Sequence, residues 1–260
     1  MDTAATAAKA HELQRLHRDP ELLLVVNVWD VITARVVADT PGTKALATAS
    51  HSIAAAYGYP DGEQIPRDLM IEAVGRIAAA VDLPVTADLE AGYGDAGETV
   101  ARAIDVGIVG ANLEDQMKPL PDAVRAVEAA VAAGERAGIP FVLNARTDAF
   151  VKAGDRNPAD VLAEAVERGR AFLDAGASTF FVPGMLDEPT VSRLVEELGP
   201  QKVNVIGVPG SLDLATLQRL GVARVSYGPW SQNVALTALA ALAEDVYAGG
   251  GLPEGTRKLN

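Results

Sequence analysis

Cysteine is absent from the 260-residue chain. That removes disulfides, thiolate nucleophiles and cysteine-ligated metals from consideration. Histidine is scarce, with only His11, His17 and His51. Neither a metal–histidine spacing nor a Ser–His–Asp set emerges, which sets aside zinc chemistry and nucleophilic hydrolysis. No apolar run approaches the ~18 residues of a membrane span. The opening stretch, MDTAATAAKAHELQRLHRD, lacks the basic segment and apolar centre of a secretory signal. Basic clusters are missing too. Against 35 Asp and Glu there are 22 Lys and Arg, a formal charge of −13, which argues against nucleic acid or an acidic membrane as partner. A GxGxxG phosphate turn is also missing after the first strand candidate, where the chain reads NVWDVITA. The expectation is a soluble, cytoplasmic protein acting on small molecules.

What is present is a globular composition, 49% apolar and 22% charged. Short β-branched runs at 22–27, 45–49, 84–88, 110–113, 141–144, 179–182, 203–206 and 224–226 read as strands. Helical patterns follow them, beginning near Val31, Pro66, Ala96, Asp122, Pro158, Glu188, Leu212 and Asn233. The stretch VLAEAVERGRAFL carries a one-sided apolar stripe. Gly107, Gly138, Gly176, Gly199 and Gly221 stand where helices should close. The strand candidates are continuously apolar, as expected of strands buried on both faces. Eight βα units with no linker predict one domain over 1–260, a (β/α)8 TIM barrel; a doubly wound sheet is the alternative. Residues 2–17 read as an extra N-terminal helix, with His11 and His17 facing solvent.

In such a barrel the chemistry sits at the C-terminal ends of the strands. Those ends read Asn27-Val28-Trp29-Asp30, Ser50-His51-Ser52, Asp88-Leu89-Glu90, Glu114-Asp115 and Arg146-Thr147-Asp148. A lone acid at a strand end is more often a helix cap, but Asp30, Asp88, Glu90 and Glu114 at one rim would repel one another unless a cation joined them. All-oxygen donors select a hard ion, Mg²⁺ with Mn²⁺ as substitute. Asp88 and Glu90 stand two apart, on one side of an extended chain. Asp61, Asp115 and Asp148 read as structural. Arg146 can clamp a carboxylate with its fork or pair with Asp148 or Glu114. Ser50, His51 and Ser52 offer N–H groups and hydroxyls, either as an anion cradle or as an ordinary turn.

The blocks ASHSIAAAYGYPDG, LPVTADLEAGYG, GANLEDQ, NARTDA, AGASTFFVPG and GVARVSYGP, in this order, resemble the isocitrate lyase/phosphoenolpyruvate mutase superfamily along most of the chain. The resemblance implies a (β/α)8 barrel whose C-terminal helix is exchanged between subunits of a homodimer or homotetramer. It also implies Mg²⁺ and a small anionic 2-oxo or 2-hydroxy acid, cleaved at a C–C or P–C bond through an enolate-like species. By position, Asp88 matches the direct metal ligand, and Glu90 and Glu114 match acids that hold metal-bound water. Asp30 matches the first-strand acid, and Arg146 matches the substrate-binding arginine. Ser50, His51 and Ser52 match the segment whose backbone holds the substrate carboxylate, with Trp29 beside them. Arg146, Asp30 and Glu114 are the catalytic candidates. One feature departs: the lyases carry a cysteine-bearing loop after strand 4, and here Met117-Lys118-Pro119-Leu120-Pro121 runs directly into a helix. The expected activity is therefore that of a Mg²⁺-dependent, oxaloacetate decarboxylase-like lyase. A phosphonopyruvate hydrolase or mutase with Asp30 as nucleophile is one alternative, and a non-catalytic 2-oxo acid binding barrel is another.

Overall fold

The computed structural model describes residues 3–259. The first extended segment is divided at Val26 into β1 (Leu23–Val25) and β2 (Asn27–Val28). Seven further strands follow: β3 (Leu46–Thr48), β4 (Val85–Asp88), β5 (Gly110–Glu114), β6 (Val142–Arg146), β7 (Thr179–Val182), β8 (Val203–Ile206) and β9 (Arg224–Ser226). Their order is β1-β9-β8-β7-β6-β5-β4-β3-β2, and every pairing is parallel. With β1 and β2 one residue apart, the two ends of this order meet, and the sheet curls into a TIM-like barrel. The eight expected strands are these nine segments with the first one split.

The helices are α1 (Thr3–Arg18), α2 (Val31–Ala38), α3 (Ser50–Ala56), α4 (Arg67–Ala79), α5 (Ala96–Asp105), α6 (Leu120–Ala137), α7 (Pro158–Asp174), α8 (Glu188–Leu198), α9 (Leu214–Leu220) and α10 (Trp230–Tyr247). The short α3 was not expected; SHSIAAA is only seven residues long, too few to show a helical period. Asp30, Asp95, Asp187 and Asp213 each cap a helix by accepting a backbone N–H three residues on, an interaction worth about 1 kcal/mol per helix. Among the described residues no helix is long and apolar enough to cross a membrane.

Helix α1 buries Thr6, Ala10, Leu13, Leu16 and His17, and Leu13 packs so closely on Gly110, the first residue of β5, that a Cβ there would lie 2.9 Å from its Cδ2. The helix thus covers the end of the barrel where strands begin. Here the structure corrects an expectation. His11 is exposed, but His17 is only 2% exposed, because it falls on the Ala10–Leu13 face of the helix. Its Nδ1–H donates to the Leu13 carbonyl at 2.8 Å. Burial, reinforced by the charge of Arg224, pulls its pKa down to about 3.

The barrel interior carries a polar layer. Asn144 donates to Asn112 at 2.7 Å, and its own oxygen accepts from Thr179 at 2.9 Å and from Asn204 at 2.6 Å. The first and last strands are joined by Asn27. Its side-chain oxygen accepts the N–H groups of Tyr227 and Gly228 at 2.7 and 2.8 Å, its amide donates to the Thr48 carbonyl at 2.8 Å, and its carbonyl accepts the Ser231 hydroxyl at 2.6 Å. This fixes where α10 begins. Beyond Gln232 the helix has no buried residue, and Val234, Leu236 and Leu239 are 70%, 53% and 59% exposed.

Candidate active site

Strands β4, β5 and β6 bring the candidate residues together at their C-terminal ends. Asp88 stands opposite Asn112 across the β4–β5 pair, and Glu114 stands opposite Arg146 across β5–β6. The register alone therefore sets Glu114 and Arg146 side by side. Arg146 Nη1 meets Glu114 Oε2 at 3.0 Å, and Nη2 meets Asp148 Oδ1 at 2.8 Å. Both ion pairs weighed from sequence are present, so the guanidinium is held from two sides. Burial alone would lower its pKa, but Glu114, Asp88 and Asp148 outweigh that and hold it above its ordinary value.

Glu114 is raised to about 7, chiefly by burial and against the pull of Arg146, with Asp148, Asp88 and Glu90 adding repulsion. Glu90 is also pushed up to about 7. Burial leads, and Asp88 adds to it. These mutual repulsions are the electrostatic signature of acids gathered at one mouth. The route to it differs from the expected one. β4 ends at Asp88, and Glu90 has a left-handed backbone with φ 51°, so strand alternation does not put the two acids on one side. A turn does. Gly92 makes that turn possible: its φ is +88°, and a Cβ there would lie 2.7 Å from the Ala96 backbone.

Asp88 is held from α3 and β3. Ser50 donates its N–H at 3.3 Å and its hydroxyl at 2.8 Å to Oδ2, and the Asp88 N–H donates to Thr48 Oγ1 at 3.0 Å. No hydrogen bond among the described residues reaches Oδ1. Ser50, His51 and Ser52 form the first turn of α3. The first intrahelical bond runs from the Ile53 N–H to Ala49, so the His51 and Ser52 N–H groups precede it and have no intrahelical acceptor. His51 is exposed and Ser52 fully buried.

Asp30 has a different occupation. It caps α2, with Oδ1 accepting the N–H and hydroxyl of Thr33 at 2.7 and 2.8 Å. Trp29, half-buried beside it, donates its N–H to the same hydroxyl. Asp115, read as structural, accepts from Met117, Thr147, Asp148 and the buried Arg168 and so staples the strand ends beneath the site.

Two residues escaped the sequence reading, Glu63 and Tyr93. The Glu63 N–H donates to Glu90 Oε2, the Tyr93 hydroxyl donates to Glu90 Oε1 at 3.0 Å, and the Tyr93 N–H donates to Glu63 Oε1. Tyr93 lies inside the ADLEAGYG block and could have been singled out there. Glu63 has no signal beyond following a turn. Of the six described non-glycine residues with positive φ, five (Glu63, Glu90, Tyr93, Gln116 and Met117) lie between β3 and α4 or on the loops after β4 and β5, and Gln201 lies elsewhere. Such conformations cost about 1–3 kcal/mol each and gather at functional sites.

Among the described residues no three acids or histidines are disposed to hold a metal ion as they stand. The donor chemistry nonetheless fits a hard cation that takes one carboxylate directly and others through water, with Asp88 Oδ1 open and Glu90 and Glu114 in its field.

Residues 13–247 match the phosphoenolpyruvate phosphomutase family. An uncharacterised Mycobacterium tuberculosis protein is 33% identical over 240 residues, covering 92% of this chain and 90% of its own. A crystal structure from Burkholderia cenocepacia, described as a candidate phosphonomutase, superposes with a TM-score of 0.86 at 41% identity and covers 92% of this chain and 98% of that one. Oxaloacetate acetylhydrolase, solved with its product oxalate, superposes at 0.85 with 25% identity over 96% and 91% of the two chains. The fold, the rim of acids around Arg146 and the match along nearly the whole barrel agree: the chain belongs to the phosphoenolpyruvate phosphomutase family, within the isocitrate lyase/PEP mutase superfamily of lyases and mutases.

Proposed function

We propose that the barrel mouth is a Mg²⁺-dependent carbon–carbon lyase site for a small 2-oxo or 2-hydroxy acid, with oxaloacetate decarboxylation as the model reaction. The observation that carries this reading is the grouping of Asp88, Glu90 and Glu114 around an oriented Arg146. Asp88 would hold the ion directly through Oδ1, and Glu90 and Glu114 would hold it through water. A divalent ion bound there supplies electrophilic stabilisation as the C–C bond breaks. The chain's own groups do the rest. The first-turn N–H groups of α3 hold the substrate carboxylate, with Trp29 and His51 at its side. Arg146 faces the oxygen on which enolate charge develops, and its pairing with Glu114 and Asp148 fixes the fork in advance. The bond between the leaving carboxylate and its carbon breaks, carbon dioxide departs, and the electron pair is taken into the enolate. A proton from water on the open side then completes the product, so no acid on a lid is needed. The likeness to oxaloacetate acetylhydrolase supports this substrate class.

The P–C alternative needs Asp30 as nucleophile, and engagement of its carboxylate by Thr33 favours the C–C reading. The exposed apolar residues of α10 support a homodimer or homotetramer in which this helix packs on a neighbouring copy. The deciding experiment is a panel of 2-oxo acids, including oxaloacetate and phosphonopyruvate, with Mg²⁺, followed for pyruvate and phosphate. Pyruvate without phosphate, from oxaloacetate, is expected. Phosphate release would establish the P–C reading, and binding without turnover would make the barrel a non-catalytic receptor.

A further inference from the structure

The segment 57–66, YGYPDGEQIP, crosses from α3 to α4 beside the barrel mouth. It is anchored at both ends: the Tyr59 N–H donates to the Ala54 carbonyl, and Ile65 is fully buried. Between these anchors a three-membered ring of hydrogen bonds ties it to the rim. Glu63 gives its N–H to Glu90, Glu90 accepts the Tyr93 hydroxyl, and the Tyr93 N–H closes the ring on the Glu63 carboxylate. All three residues have left-handed backbone, with φ of 60°, 51° and 53°. Three unfavourable conformations in three mutually bonded residues mean that the ring over-determines the backbone there. The loop after β5, where a lid would stand, is only residues 115–119.

We infer that Glu63 and Tyr93 are positioning residues for Glu90, and that the 57–66 segment they latch to the rim is the cover of the site. This rests on the reading of Glu90 as a group that holds water on the metal. The ring fixes both oxygens of Glu90, so its carboxylate is aimed by Glu63 and Tyr93. Outer partners of this kind orient metal-binding groups. The same ring makes the position of the cover depend on Glu90, so that metal uptake and coverage of the mouth are coupled.

The test uses Glu63→Ala, Glu63→Gln and Tyr93→Phe in the full chain, with Mn²⁺ affinity from calorimetry and chymotryptic cleavage between Tyr57 and Gly58 as readouts. Glu63→Ala is expected to weaken Mn²⁺ binding about tenfold and to speed cleavage. Glu63→Gln keeps an oxygen for the Tyr93 N–H and should restore both to near wild type. Tyr93→Phe removes only the hydroxyl and keeps the N–H bond to Glu63, so it should weaken Mn²⁺ binding while leaving cleavage nearly unchanged. If Glu63→Ala does not fold, as judged by circular dichroism, Tyr93→Phe carries the positioning test. Wild-type Mn²⁺ affinity and wild-type cleavage in both Glu63→Ala and Tyr93→Phe would overturn the inference. A wild-type protein that takes up no Mn²⁺ would overturn the metal reading alone, and cleavage of Glu63→Ala at the wild-type rate would then dismiss the cover as well.

Discussion

Ser50 gives both its N–H and its hydroxyl to one oxygen of Asp88, and among the described residues the other oxygen has no hydrogen-bond partner. A carboxylate held in this way presents a single aimed lone-pair site. Ser50→Ala keeps the N–H bond and loses the hydroxyl. It should weaken Mg²⁺ binding about tenfold with little change in melting temperature. Asp88→Ala should abolish metal binding and leave the barrel folded. Calorimetric titration of both variants checks the pair, and wild-type affinity in Asp88→Ala would remove it from the ligand set.

Exhaustive EDTA treatment should abolish turnover, and Mg²⁺ or Mn²⁺ should restore it, because the rim offers oxygen donors only. Full activity in the chelated protein would exclude the mechanism proposed here.

Isocitrate and 2-methylisocitrate should be cleaved poorly. Their retro-aldol products need a positioned proton donor, and such help is worth ~10²–10⁴-fold. No cysteine is present, and the loop after β5 offers only Lys118 and an Asp115 already engaged by Met117, Thr147, Asp148 and Arg168. Glyoxylate release measured with both tricarboxylates tests this. Turnover within about tenfold of a typical ~10 s⁻¹ would show that another acid serves.

Light scattering at micromolar concentration should give a mass above the 27.0 kDa of one chain. Leu236→Asp with Leu239→Asp puts charge on the exposed α10 residues and should lower that mass to the monomer's. A monomeric wild type would refute the assembly proposal.

His17 should make stability depend on pH. Its pKa is about 3 in the fold against 6.5 ordinarily. Below pH 6.5 the unfolded chain therefore gains a proton that the folded one refuses. The stability His17 allows is fully present above pH 6.5 and is lost as pH falls toward 3. Between pH 6.5 and 5 the loss from this group should be about 2 kcal/mol. Urea unfolding of wild type and His17→Asn at both pH values isolates it, since the carboxyl contributions are shared. Equal pH slopes would mean that His17 is not held neutral.

The barrel was legible because strand and helix lengths, closing glycines and the rim acids are written in local sequence. Asp88, Glu114 and Arg146 could be placed from strand ends alone, since the register carries them. Three features were not legible, each for its own reason. Asp30 looks the same in sequence whether it faces a metal or caps α2, and only Thr33 three residues on hints at the cap. His17 required the helical phase of α1 to be set against a barrel end that does not exist until all the strands are placed. Glu63 acts on Glu90 across a separation of 27 residues, through backbone conformations that side-chain patterns do not encode.

Asn27 has one further consequence, which concerns time. The two N–H groups held by its side-chain oxygen lie 200 and 201 residues further along the chain. Contacts so remote in sequence are among the slowest to form, because a large loop must close before they are gained. On a growing chain, β2 waits for almost the entire protein to emerge before its asparagine finds Tyr227 and Gly228. A chain truncated at 226 would keep every strand yet lack this clasp, with the β1–β2 region poorly secured. Such a fragment should aggregate where the full chain does not.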